Sequence, residues 1–146
     1  MAGADGPTLV DPERRFARLF AQRHSLQPPV PVDEVLRLFA DVEYDVLPGS
    51  GEAVVLRRTG RKTRVIISTG IAANRRRFTV AHELGHIVLP WQVGSAFCHP
   101  QVTYVAGDDF HNEIEAQANR FATELLIPES WLARKLGDRH EQKGLC

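Results

Sequence analysis

The apolar positions of the chain fall into blocks of two different periods. In "DPERRFARLFAQRHSL", Phe16, Leu19 and Phe20 recur at helical spacing. Asp11 and Pro12 ahead of them suit a cap and a first helical residue, which predicts a helix from about Pro12 to His24. After the stiff connector "QPPVPV", Val32, Val35, Leu36 and Phe39 stand at i, i+3, i+4 and i+7 and predict a second amphipathic helix that stops near Ala40. The period then shortens to two. "VEYDVL", "EAVVLRR" and "TRVIIST" are separated by the turn signals "GSG" and "TGRK", which predicts a three-stranded antiparallel meander.

A helix is predicted next from near Asn74 to about Leu89, because Pro90 disfavours α geometry in the residue before it. "QVGSAFCHPQVTYVAGDD" follows as a long excursion with little regular pattern, and connections of that length in compact domains are often functional. "HNEIEAQANRFATELLI", closed by Pro128, reads as the last long helix, and "PESWLARKLG" as a short further one. The fold class expected is α+β, a small antiparallel three-stranded sheet packed with helices. The divisions expected are an N-terminal helix and connector over 1–30, a main domain over 31–137 and a tail over 138–146.

Composition changes this picture little. With 146 residues, 43% of them hydrophobic and 25% charged, the chain suits one domain with its own core. The start "MAGADGPTLVDPERR" has neither a basic segment nor an apolar stretch of signal-peptide length, and no run approaches a membrane span. Cys98 and Cys146 form no spaced metal or disulfide pattern. A cytoplasmic protein without membrane contact is expected.

Net charge is zero but unevenly placed. Residues 57 to 77 hold eight of the 18 basic residues and no acidic one, so ten remain elsewhere against 18 acidic residues. Arg75, Arg76 and Arg77 are unusual at a helix start, where the dipole disfavours cations, and are expected to pair with acidic neighbours or a partner. Direct nucleic-acid binding is not expected, since no reader motif or aromatic interleaving accompanies the basic stretch.

The chemistry concentrates in "RRRFTVAHELGHIVLPW". Residues i and i+4 on a helix lie about 40° apart around its axis, so His82 and His86 can meet one ion, with Glu83 beside them. This is the H-E-x-x-H arrangement, in which two imidazoles hold Zn²⁺ and the glutamate works as a base. A shuffled chain of this composition would show it roughly 0.02 times. The competing reading is an exposed polar face with unliganded histidines. Gly85 weighs against that, because a glycine inside a helix costs about 1 kcal/mol relative to alanine and suits a close approach. Leu89 and Gln92 stand where a third-histidine pattern would need Gly and His, which removes that variant.

A catalytic zinc needs a third protein ligand. On the later helix Ile114, Ala118, Phe121, Ala122 and Leu125 define a buried stripe, while Glu113, Gln117, Arg120 and Glu124 follow one another along an opposite stripe expected to be solvated. Glu113 therefore belongs outside. Glu115, flanked by Ala118 and Ala122, is the expected third ligand; the plainer alternative is a border glutamate paired with a surface arginine.

"RRRFTVAHELGHIVL" followed by "EAQANRFATELLIP" resembles the ImmA/IrrE family of zinc-dependent metallopeptidases. The likeness extends in architecture from about Pro31 to Pro128. It implies a zincin-like domain with the motif on a central helix and one Zn²⁺ per chain held by His82, His86 and Glu115. It also implies Glu83 as catalytic base and Asn119 as a group steadying a ligand. Where relatives often carry a second acidic residue this chain has Gln117, a harmless departure if that face is solvated. The implied substrate is a DNA-binding repressor of helix-turn-helix type, cut by a regulatory endopeptidase. The alternative is a zinc-dependent binding or sensing module, or a toxin-like partner, that sequesters a regulator without cleaving it.

His111, four residues before Glu115, and Tyr104 in the excursion are candidate stabilisers of a developing oxyanion, each against the plainer reading of a surface His and a packing Tyr. Cys98 could offer a thiolate to the open metal position, against the ordinary reading of an unpaired loop cysteine. "TRVIIST" is read as a sheet edge on which an extended substrate pairs, with its basic flanks favouring acidic segments; the plainer reading there is a solvated positive face.

Overall fold

The computed structural model describes residues 11–92 and 109–144. Among these residues five helices and three strands follow one another as α1 (Pro12–Arg23), α2 (Val32–Phe39), β1 (Ala40–Asp45), β2 (Ala53–Leu56), β3 (Thr63–Ser68), α3 (Ala73–Val88), α4 (Asp109–Leu126) and α5 (Glu129–Gly144). The class is α+β, with the motif helix α3 in the middle. It packs against α4, α2 and the sheet, and Val80, Ala81 and Leu84 on it are fully buried. Among the described residues no helix is long and apolar enough to cross a membrane.

The sheet departs from the meander. Its order is β1-β3-β2, with β2 antiparallel to β3 but β1 parallel to it, Ala40 facing Thr63 and Asp45 facing Ser68. The turn "TGRK" does close a β2–β3 hairpin, with Gly60 at φ +70°. The segment 46–52 does not: it crosses the end of β3 and delivers β2 to the far side. Two strand spacings are about 10 Å, which seven residues span easily. Composition explains the order. "TRVIIS" is the most apolar strand, with Val65 and Ile67 fully buried, so burial places it in the centre and leaves the more polar "ADVEYD" at an edge. β3 is therefore not the free edge expected; the edges are β1 and β2.

The helix α1 docks on α4 through Ala17 and Phe20, both in the main core. Leu19, read as part of that face, is 57% exposed, and the buried side of α1 runs through Glu13, Ala17 and Phe20. Docking of α1 also overturns the solvated stripe on α4. Glu124 is 5% exposed and accepts from Arg18 Nε at 2.8 Å, while Arg120 donates to buried Glu13 and to Glu113. Glu124 is buried and Arg120 half-buried as ion pairs under a second helix, while Glu113 at the other end of the stripe stays exposed. The apolar stripe Ile114, Ala118, Phe121, Ala122 and Leu125 is buried as its spacing predicts. α5 runs farther than the short helix expected, because "RKLGDRHEQK" is rich in good helix formers.

Candidate metal centre

The residues of the motif keep their helical geometry. His82 and His86 sit one turn apart on α3, their rings edge to face with centroids 4.6 Å apart and their Nε2 atoms separated by 3.0 Å. α4 crosses α3 at Gly85. A Cβ on that residue would stand 3.0 Å from the Phe121 ring and 3.4 Å from the Ala118 backbone, so the close approach that a helix-interior glycine suggests is made. The crossing brings Glu115 to both imidazoles. Its Oε2 lies 2.8 Å from His82 Nε2 and its Oε1 3.1 Å from His86 Nε2. Glu113 points away, exposed and paired with Arg120.

Two nitrogens and a carboxylate thus converge, and this group could hold a metal ion. The donor set fits one. Ligands about 2.0–2.1 Å from a tetrahedral ion stand about 3.3 Å from one another, close to the separations found here. Each imidazole also turns its Nδ1 to an amide oxygen, His82 to Asn119 Oδ1 at 2.7 Å and His86 to Gln92 Oε1 at 2.8 Å. That leaves both Nε2 atoms facing the cluster, an arrangement that calls for a shared cation.

Electrostatics follow from the geometry. Burial pushes the Glu115 carboxyl up, but hydrogen bonds with His82 and His86 overcome it and hold the group well below the usual carboxylate range. Burial lowers His86, but Glu115 and Glu83 outweigh it and leave the imidazole above its ordinary value. Glu83 goes the other way from Glu115. Burial raises it, and the pull of His86 and His82 offsets that only in part.

Glu83, His82, Glu115 and Asn119 line a cleft of about 520 Å³ that runs along α3 past Thr79 and Phe78 and is closed across from α3 by Glu52 and Ala53 at the approach to β2. Glu52, just before β2, bridges the walls: it accepts from Arg75 Nε at 2.7 Å and from Thr79 Oγ1 at 3.2 Å. At the other end of β2, Arg57 donates to the His86 carbonyl at 2.7 Å. The short edge strand is thereby strapped along α3.

These contacts account for much of the basic stretch. Arg58 pairs with Asp41, Arg64 with Glu43 and Arg75 with Glu52, so one of the three arginines at the helix start has its acidic neighbour. Sequence reasoning missed Glu52, Arg57 and Gln92, none of which stands in a periodic pattern. Gln117 is not on a solvated face: its Oε1 accepts from Trp91 Nε1 and from Gln92 Nε2. His111 falls on α4, with its side chain outside the described set; Tyr104, Cys98 and His99 lie outside the described residues.

A paired-histidine helix crossed by a carboxylate-bearing helix above a small sheet has the form of a metallopeptidase-like domain. Residues 42–143 match the family model of the IrrE N-terminal-like domain, Peptidase_M78. That is well over half of the sequence, and the chain belongs to this family. No curated protein matches it.

Proposed function

We propose that the chain is a zinc-dependent endopeptidase in which His82, His86 and Glu115 hold the metal and Glu83 is the general base. The observation that carries this is the convergence of three donors within 4.8 Å of one another beside a glutamate that lines the same cleft. Two imidazoles and one carboxylate are a ligand set typical of catalytic zinc. When bound, such an ion supplies the Lewis acidity that activates water and polarises a peptide carbonyl.

The chain's own residues do the rest. Glu83, its affinity for a proton raised by burial, takes the proton of the attacking water and delivers it to the leaving amine. Asn119 keeps the His82 ring in register through Nδ1. Among the described residues the sheet edge next to the cleft is β2, so an extended substrate segment pairs there rather than on β3. On the family resemblance, the substrate is a helix-turn-helix repressor, and cleavage in the cytoplasm relieves repression.

The test compares newly formed protein N-termini, by mass spectrometry, in source cells producing the unaltered chain or Glu83→Gln. A cut in a transcriptional regulator that disappears with Glu83→Gln, while the variant keeps its zinc, supports the reading. Equal N-termini from two metal-loaded proteins would exclude a hydrolytic role and favour sequestration.

A further inference from the structure

We propose that Gln92 is a positioning residue for the metal centre: its buried amide, oriented by Trp91, Gln117 and the Ile114 carbonyl, fixes His86 in the tautomer that presents Nε2 to the cation. The proposal rests on the zinc reading above and adds to it a residue six positions beyond the second histidine.

The argument begins with two groups whose hydrogen-bonding sense cannot be exchanged. An indole N–H only donates, so the Gln117 atom 2.9 Å from Trp91 Nε1 is the oxygen. A backbone carbonyl only accepts, so the Gln92 atom 3.3 Å from Ile114 O is the nitrogen. The same Gln92 nitrogen lies 3.0 Å from Gln117 Oε1, which agrees with both assignments. Reversing the Gln92 amide would set an oxygen against two oxygens. Its Oε1 must therefore be the atom 2.8 Å from His86 Nδ1. An amide oxygen cannot donate, so Nδ1 carries the hydrogen and the lone pair of the neutral ring is at Nε2, facing Glu115 and His82.

Burial gives this orientation its force. Gln92 is 2% exposed, so water does not compete for its amide. Its backbone N–H closes a turn onto the Leu89 carbonyl, which folds the chain back after Pro90 and returns the side chain to the seam between α3 and α4. Glutamine is the residue type the place requires. A carboxylate would satisfy Nδ1 but would face the Ile114 and Gln117 oxygens without a hydrogen to give them, and an apolar side chain would leave Nδ1 unsatisfied.

Partners of this kind change metal affinity by about 10–100-fold. Zinc affinity of the full chain, measured by competition with a chromogenic chelator, is expected to fall by about that factor in Gln92→Leu. It should return to within a few-fold of the unaltered chain in Gln92→Glu, which still accepts from Nδ1 though it melts lower. Rescue of affinity without rescue of melting temperature separates positioning from a merely structural role. Should the leucine variant fail to fold, Gln92→Asn, too short to reach Nδ1 from the same backbone, carries the same expected loss. Unchanged zinc affinity in the folded Leu or Asn variant overturns this inference alone, as does a loss in Gln92→Glu equal to that in Gln92→Leu. Failure of the unaltered chain to bind zinc overturns the metal-site reading, and this inference with it.

Discussion

Arg120 shows how a single residue joins two helices. Its guanidinium reaches Glu13 on α1 and Glu113 on α4, but the two carboxylates are unlike: the Glu13 side chain is 4% exposed and that of Glu113 is 57% exposed. Removing the buried partner leaves a partly buried cation with only a solvent-screened one, whereas removing the exposed partner leaves the buried pair intact. Glu13→Ala is therefore expected to cost about 2 kcal/mol, a fall in melting temperature of about 4–8 °C for a chain of this size. Glu113→Ala is expected to stay within about 0.5 kcal/mol. Thermal unfolding of the two variants side by side checks this, and equal losses would contradict the assignment of Glu13 as the dominant partner. Site residues differ in how far the sequence discloses them for a related reason. His82 and His86 lie on one helix and are placed by its 3.6-residue period, and Glu115 follows from the stripe that fixes which side of α4 is buried. Gln92 and Glu52 act only because a turn and a crossover return them to α3, and no local pattern encodes that return.

At the scale of elements, the apolar stripes of α2 and α4 were legible, while the full buried face of α1 and the strand order were not. The apolar stripes of α2 and α4 are buried where their spacing puts them, since a stripe has only one way to be hidden. The turn "LPGSG" is equally compatible with a hairpin and with the crossover adopted, and the choice between them belongs to the apolar content of β3. The polar side of α4 misled because its neighbour α1 is distant in sequence. The α3–α4 crossing is the element-scale feature on which the site depends, and Gly85 tests it. Alanine there would gain about 1 kcal/mol in helix propensity, against about 1–3 kcal/mol for crowding in a packed core. The atom it meets first, at 3.0 Å, belongs to Phe121, whose ring is fully buried against Phe16 and Phe20 and has little room to yield. Gly85→Ala is expected to lose about 1 kcal/mol net, or about 2–4 °C in melting temperature. Because the same crossing carries Glu115 to the histidines, zinc affinity should fall as well. A variant that melts higher and binds zinc as before would show that the two helices are not held apart at this point.

For the whole molecule, the proposed metal site would link metal, protons and stability through one cluster. In the metal-free protein Glu115 is held below its ordinary value of 4.5, so its contribution to stability is present above that pH and lost on acidification below it. His86 is raised above 6.5, so its contribution is fully present below 6.5 and lost as pH rises through the folded-state value. Glu83, raised above 4.5 by burial, subtracts stability from pH 4.5 upward, where the folded chain keeps a proton that the unfolded chain gives up. Glu115 and His86 therefore contribute most to the chelator-treated protein between about pH 4.5 and 6.5, and Glu83 tilts the maximum toward the acid end of that window. Zinc bound as proposed would reverse the alkaline trend. It needs both imidazoles neutral, so its affinity grows with pH, and a ligand at 100 times its dissociation constant adds about 2.7 kcal/mol. The gain in melting temperature on adding zinc should accordingly be small near pH 5.5 and large near pH 8, and Glu115→Ala should lose most of it at both. Melting curves with zinc and with chelator across this range measure the difference directly. A zinc-induced gain that does not grow with pH would mean that the ion binds without displacing the proton of His86, and so binds elsewhere.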